Sequence, residues 1–169
     1  RTMQARLESL IEISSTINSV LELDRLLETI MDKAIAAIGV ERGILFLKST
    51  NGSLLPHAAR NIEKETLADA EDISRSIMSE VASSGKYFLS SNMQNDPHMM
   101  NRPSVVAFKI RSVLCVPLVK KDTIIGTIYL DSRKATKVFT EDDVKFLQTF
   151  ANLAAIAIAS VAAMGVGFL

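Results

Sequence analysis

Residues 111 to 132 constrain the fold more than any other part of the chain. The segment RSVLCVPLVKKDTIIGTIYLDS contains two apolar runs around the polar group Lys120-Lys121-Asp122-Thr123. Branched aliphatic and aromatic residues favour β-strands, and a short polar segment between two such runs predicts a hairpin. A hairpin this apolar has to be covered on both faces. We therefore expect a layered domain with helices on one face of a sheet and a second covering layer on the other.

Composition limits the classes of function. With 169 residues, the chain is long enough for one domain with a full core. Its 19 basic and 19 acidic residues give a formal net charge of zero, which argues against a nucleic-acid partner. The single cysteine, Cys115, excludes an internal disulfide and favours a reducing compartment, so a cytoplasmic location is expected. Arg6, Glu8 and Glu12 interrupt any apolar run near the start, and no signal peptide is predicted.

Hydrophobic periodicity predicts the order helix, helix, strand, strand, helix, loop, strand, strand, helix. The predicted bounds are helices at 3–21, 25–38 and 72–84, strands at 42–48 and 54–59, the hairpin at 111–132, and a last helix from Thr140. A short strand is expected in KYFLS, after the third helix. Gly39 and Gly85 should end helices, and Asn51-Gly52 should form a turn. Residues 90 to 105 are polar, contain two prolines and are expected to form a loop or lid.

The first and last helices carry apolar residues at alternating spacings of three and four, which is typical of helices that pair. The predicted dimer seam consists of Met3, Leu7, Leu10 and Ile17 in the first helix and Leu147, Ala151, Ala154 and Ile158 in the last. A second stripe, Phe146, Phe150 and Leu153, is expected to face the sheet. We therefore predict a parallel homodimer whose seam a lone chain would leave exposed.

The C-terminal segment allows a different interpretation. Residues 146 to 169 carry no charge and are long enough to cross a bilayer. However, many of them are alanine, and Gln148, Asn152 and Ser160 are polar, so they contribute little to insertion. Membrane insertion is the less favoured alternative, and residues 162–169 are interpreted as a linker or an added tail.

Several short motifs in order resemble one family. The run from Arg111 contains RSVLCVPL, IGTIYL, FTEDD and a helix with AAIAIA, and it is similar to the C-terminal half of GAF domains. The N-terminal half resembles the family more loosely, through LDRLLETIMDKAIAAIGVERGILFL and GKYFLSSNMQNDPHMMN. The resemblance covers roughly residues 22–161, which leaves 1–21 as a dimerisation or signalling helix. It implies an α/β (α+β) fold with an antiparallel sheet of five or six strands. Terminal helices would cover one face, and a small-molecule pocket under the third helix and the lid would occupy the other.

Strand alternation selects the residues expected to face that pocket. Thr127, Tyr129 and Asp131 should point to it, while Ile128 and Leu130 point to the helical core. The predicted lining is completed by Ile110, Ser112 and Leu114 from the neighbouring strand, Ile77, Met78 and Val81 from the third helix, and Val106 with Phe108. Such a cavity is mostly apolar and suits a small, weakly polar ligand, whose identity the sequence does not give. The less favoured alternative is that these side chains fill the space with no ligand bound.

Cyclic nucleotides are an alternative ligand. Members of the family that bind them carry an N-K pair followed by F-x-x-x-D-E. The corresponding positions here are Ser132, Arg133, Phe139, Asp143 and Val144. Only Phe139 and Asp143 match. Asp143 could pair with Arg133 or, with Thr140, form a helix capping box.

The sequence offers little evidence for catalysis or for covalent attachment of a ligand. Cys115 is expected by strand parity to point at the helices, which argues against bilin attachment. His57 and His98 lie in separate segments, without a metal-binding or Ser-His-Asp grouping. We predict a non-enzymatic sensory module, dimeric, that reports a small ligand to an output domain such as a histidine kinase, a cyclase or a transcriptional activator. A ligand-free dimerisation module is the competing hypothesis.

Overall fold

The computed structural model describes residues 3–7, 20–60, 75–91, 93, 112–133 and 139–161. Its helices are α1 (Val20–Ile38), α2 (75–84) and α3 (Glu141–Val161), preceded by a helical segment at 3–7. Its strands are β1 (Arg42–Lys48), β2 (Leu54–Arg60), β3 (Phe88–Ser90), β4 (Ser112–Lys120) and β5 (Thr123–Ser132).

The five strands form one antiparallel sheet in the order β2-β1-β5-β4-β3. The central pair, β4 and β5, is the hairpin predicted from the most apolar segment of the sequence. Because β5 also pairs with β1, it brings the start of the domain beside the end of the hairpin. The predicted antiparallel α+β fold is confirmed.

Both hairpin turns lie where the sequence places them. In the first, Gly52 has a φ of 89°, and the Ser53 N–H donates to Asn51 Oδ1 over 3.0 Å. In the second, Lys121 and Asp122 have φ values of 48° and 65°. Two consecutive residues with positive φ are typical of the type I′ turn, whose twist matches that of the flanking strands.

Helix α1 differs from the prediction at its start. Residues 22–24, predicted to separate two helices, lie inside α1, so that predicted break is wrong. The reason is packing, because Leu23 is 1% exposed and extends the apolar stripe of Leu26, Leu27 and Ile30 by one turn. The end is as predicted, since Gly39 has a φ of 81° and donates its N–H to the Ile35 carbonyl over 2.9 Å.

Helices α1 and α3 cover one face of the sheet, here called the inner face. Strand residues on this face, among them Leu114, Val116, Ile128 and Leu130, form one buried cluster with the apolar stripes of both helices. Helix α3 begins with the predicted capping box, because Thr140 Oγ1 accepts from the Asp143 N–H and Asp143 Oδ2 accepts from the Thr140 N–H. Within the described residues, no helix combines the length and apolarity needed to span a membrane.

Five of the eight residues predicted to form the dimer seam are buried inside a single chain. Leu147, Ala151, Ala154 and Ile158 are each 0% exposed in the inner core, and Leu7 is 2% exposed. The expectation that a lone chain exposes them is therefore wrong. The alanines let α3 lie close to the sheet, so its apolar stripe faces inward. Phe146 and Phe150 line a small cavity together with Leu7 and the predicted seam residue Met3. The remaining predicted seam residues, Leu10 and Ile17, lie outside the described residues.

Candidate functional site

The face of the sheet opposite α1 and α3, here called the outer face, carries the candidate site. Tyr129 lies on it, in a buried cluster with Ile44 and Phe46 of β1. Alternation along β5 puts Thr127 and Asp131 on the same face, and all three of these β5 residues are at most 1% exposed. The β5 residues are therefore oriented as the sequence predicts.

The register of β4 corrects two predictions. Cys115 pairs with Tyr129 and Leu114 pairs with Leu130, and directly opposed residues of antiparallel strands point to the same face. Cys115 therefore lies on the outer face, whereas Leu114 and, by alternation, Ser112 lie on the inner face. The predictions that placed Leu114 and Ser112 in the pocket and Cys115 towards the helices are wrong. Because β4 is buried on both faces from Ser112 to Leu118, its sequence has no polar alternation that would fix its orientation.

Helix α2 covers the outer face. Ile77, Met78 and Val81 are at most 1% exposed and pack in the cluster that contains Tyr129, so the structure brings the predicted helical residues to the predicted β5 residues. Met93, which sequence analysis did not select, is 0% exposed in the same cluster. The predicted lining residues Val106, Phe108 and Ile110 lie outside the described residues.

A buried polar group interrupts this apolar face. Tyr129 Oη donates to Asp131 Oδ2 over 2.8 Å, and Arg42 Nε lies 3.1 Å from Asp131 Oδ1. Arg42 is 1% exposed and Asp131 is 0% exposed, so the ion pair is removed from water. Sequence analysis missed Arg42, and only the pairing of Arg42 with Asp131 across β1 and β5 identifies it. The three residues are called the polar cluster below.

Burial dominates the electrostatics of the polar cluster. It raises the pKa of Asp131, an effect that the Arg42 guanidinium and the Tyr129 hydroxyl partly offset. Burial and the neighbouring Asp131 raise the pKa of Tyr129 well above its usual value, so the phenol stays protonated and donates at neutral pH. Because its proton goes to Asp131, the Tyr129 hydroxyl can offer a further polar group only its oxygen as an acceptor.

The end of β5 is held by contacts within the chain. Glu41 accepts hydrogen bonds from Ser132 Oγ over 3.0 Å and from the Arg133 N–H over 2.8 Å. Ser132 and Arg133 are the positions that correspond to the N-K pair of cyclic-nucleotide-binding members. Asp143 accepts a hydrogen bond from the Thr140 N–H, so the predicted role of Asp143 in a helix capping box is confirmed.

Cys115 is fully buried beside the Thr127 hydroxyl, and burial raises the pKa of its thiol. The reactive thiolate is therefore disfavoured at neutral pH. Among the described residues, no three His, Cys, Asp or Glu side chains are grouped so that they could hold a metal ion.

Comparison with known proteins agrees with the architecture. The family model for the GAF domain matches residues 22–158. Among solved structures, the chain is similar to the GAF domain of an Acinetobacter phosphoenolpyruvate-protein phosphotransferase, with a TM-score of 0.69, 18% identity and 98% of each chain covered. It is also similar to a domain of a putative two-component sensor histidine kinase from Sinorhizobium meliloti 1021, with a TM-score of 0.64, 17% identity and coverage of 86% of this chain and 94% of that one.

A third similar structure is the GAF domain of the cyanobacteriochrome TePixJ, with a TM-score of 0.63, 16% identity and coverage of 82% of this chain and 89% of that one. No curated protein sequence matches. At these sequence identities, the similarity to solved structures supports only the fold. Membership of the family is shown by the family model, which matches most of the chain. The chain belongs to the GAF domain family.

Proposed function

We propose that this GAF domain is a sensory module that binds a small molecule at the outer face, between α2 and strands β1, β4 and β5. The polar cluster is the observation that carries the proposal. Desolvating an ion pair costs several kcal/mol per ion, and apolar residues of similar volume often serve a core at least as well. Buried, perturbed titratable groups beneath a covering helix are typical of functional sites.

The chemistry of the outer face defines the ligand class. Ile44, Phe46, Ile77 and Val81 supply apolar surface, and the polar cluster supplies a small number of directional groups. This combination favours a compact, weakly polar molecule with one hydrogen-bonding group. A cyclic nucleotide is less favoured, because the Ser132 hydroxyl and the Arg133 backbone N–H are already bonded to Glu41.

Known relatives support the signalling role. The similar structures come from a sensor histidine kinase and a cyanobacteriochrome. By analogy, we propose that this domain acts without catalysis, inside a cytoplasmic signalling protein with an output domain. Helix α3 packs against β4, so a ligand that shifts the strands on the outer face would also move α3.

A second copy of the chain is the proposed partner of α3. The predicted seam residues of α3 are buried, but Ile156 is 40% exposed on the same helix. We propose that this exposed side of α3, together with residues 1–21, which the sequence predicts as a dimerisation helix, forms the homodimer contact that passes the signal on.

The competing function is a ligand-free dimerisation module. The specific observation in its favour is that Ile44, Phe46 and Tyr129 are already at most 1% exposed in the chain alone. These side chains pack on one another, as they would in an ordinary core.

A thermal-shift screen separates the two functions. We expect at least one metabolite to raise the melting temperature, since a ligand at 100 times its dissociation constant adds about 2.7 kcal/mol of stability. In Tyr129→Phe the binding free energy should weaken by about 1 to 2 kcal/mol. Tyr87→Phe is the matched control, because Tyr87 is 44% exposed, and its binding should be unchanged. The absence of any stabilising compound in a broad library would favour the ligand-free module. Equal binding by both variants would show that the ligand does not use Tyr129.

A further inference from the structure

A cleft lies between the β1–β2 hairpin and helix α2, away from the polar cluster. Its volume is about 590 Å³, within the range of pockets that bind small molecules. Lys48, at its edge, is the last residue of β1, whereas Arg42 of the polar cluster is the first. Because a strand rises about 3.3 Å per residue, the two positions are roughly 20 Å apart. The cleft is therefore separate from the polar cluster.

The charged side chains in the described lining of the cleft are all positive. Of the described residues that line it, Lys48 and Arg75 are cationic, Ser53, Ser79 and Ser83 carry hydroxyls, and none is acidic. This local excess of positive charge stands out in a chain whose formal net charge is zero. Lysine, arginine and serine together are the side chains that bind phosphate oxygens, with arginine providing a planar set of donors.

Two features orient these groups. Arg75 Nη1 donates to the Leu54 carbonyl over 3.4 Å, which ties the guanidinium to the first residue of β2. Arg75, Ser79 and Ser83 are spaced four residues apart on α2, so they lie along one side of that helix and face the hairpin together. A ligand in the cleft would therefore meet cationic groups from both the helix and the hairpin.

The other walls are apolar. Leu54, Leu55 and Ala82 line the cleft, and Leu55 is 45% exposed although it is a large hydrophobic residue. Met78 lines the cleft as well, while it also packs in the cluster around Tyr129. Leu54, which lines the cleft, packs against the same cluster, so the cleft borders the outer-face core.

We propose that this cleft is a second binding site, selective for a small phosphate monoester with an apolar body. Lys48 and Arg75 bind the phosphate, the hydroxyls of Ser53 and Ser79 donate to its remaining oxygens, and Leu55 covers the apolar part. This site goes beyond the proposed sensory function, because it uses none of the polar cluster.

The test is a titration of the ¹⁵N-labelled chain with phenyl phosphate, followed by amide chemical shifts. We expect saturable shifts in the β1–β2 hairpin and α2, no comparable shifts with benzyl alcohol, and weaker binding of inorganic phosphate, which lacks the apolar body. Lys48→Gln and Arg75→Gln should each weaken phenyl phosphate binding by about tenfold or more. Lys121→Gln, in the other hairpin, is the control and should bind as the parent does.

Three results would overturn the proposal. They are no saturable shift up to about 10 mM phenyl phosphate, equal affinity in Lys48→Gln and the parent, or shifts centred on Tyr129 instead of the hairpin. Ala82→Leu gives an independent check, because it narrows the cleft without altering charge. If Ala82→Leu bound phenyl phosphate with unchanged affinity, the ligand would lie elsewhere.

Discussion

Replacing Arg42 by methionine removes the positive half of a buried ion pair and keeps an unbranched side chain that can fill part of the space. The Asp131 carboxylate, 0% exposed, then loses the guanidinium whose Nε lies 3.1 Å from Oδ1. Two unit charges at that distance attract by about 5 kcal/mol at an effective dielectric constant of about 20. Breaking one partner of such pairs costs about 3 to 5 kcal/mol. We expect Arg42→Met to lose about 3 to 4 kcal/mol of unfolding free energy at pH 7.

The loss should depend on pH. Burial already raises the pKa of Asp131 in the folded chain, and Arg42 is the largest influence that lowers it. Without Arg42 that pKa rises further above its value in the unfolded chain. A carboxyl with a raised folded-state pKa contributes stability below its unfolded pKa and loses it as the pH rises through the folded value. Arg42→Met should therefore lose stability more steeply than the parent between pH 4 and pH 7.

Urea unfolding followed by circular dichroism measures both effects. The double variant Arg42→Met/Asp131→Asn is the decisive comparison, because it replaces the isolated carboxylate by a neutral group. It should recover most of the lost stability at pH 7 and show the smaller pH slope. If the single and double variants were equally unstable, with the same pH slope, then the charge of Asp131 would not matter and the argument from the polar cluster would fail.

Three further predictions concern the framework of the fold, and unfolding free energies from urea titration test each. Gly126→Ala places a Cβ against a backbone carbonyl oxygen of β1, so it should cost about 3 kcal/mol or more. Thr140→Ala removes half of the capping box and should cost about 1 kcal/mol, whereas Thr149→Ala, exposed on the same helix, should be nearly neutral. Ala154→Glu buries a charge at a 0% exposed site and should abolish folding, while Ile156→Glu, at 40% exposure, should leave a folded chain. A stable Ala154→Glu variant would contradict the packing of α3.

Local chemistry explains which parts of the fold were predictable. The turn at Asn51-Gly52 and the helix ends at Gly39 and Gly85 depend on positive φ values that these residues adopt readily. The strands of the central hairpin follow from their own composition. Each of these features is set by a few neighbouring residues, and each lies where the sequence predicts it.

The wrong predictions concern elements that are apolar on more than one side, because the sequence pattern then does not define which side faces the sheet. Strand β4 is apolar on both faces, so only its pairing with β5 shows that Cys115, and not Leu114, lies on the outer face. Helix α3 carries apolar residues on more than one side, and only packing shows that Ala154 faces the sheet. The partner of Asp131 is 89 positions away in the chain, at Arg42, and long-range pairs of this kind leave no local signal.

The central claim is that the outer face under α2 binds the sensed molecule. The most direct measurement is a crystal structure of the chain with a compound taken from the thermal-shift screen. We predict that the compound lies between α2 and β5, in contact with Tyr129, with its polar group bonded to the polar cluster. A compound bound elsewhere, with the outer face packed as in the free chain and the Tyr129 to Asp131 hydrogen bond unchanged at 2.8 Å, would contradict the account.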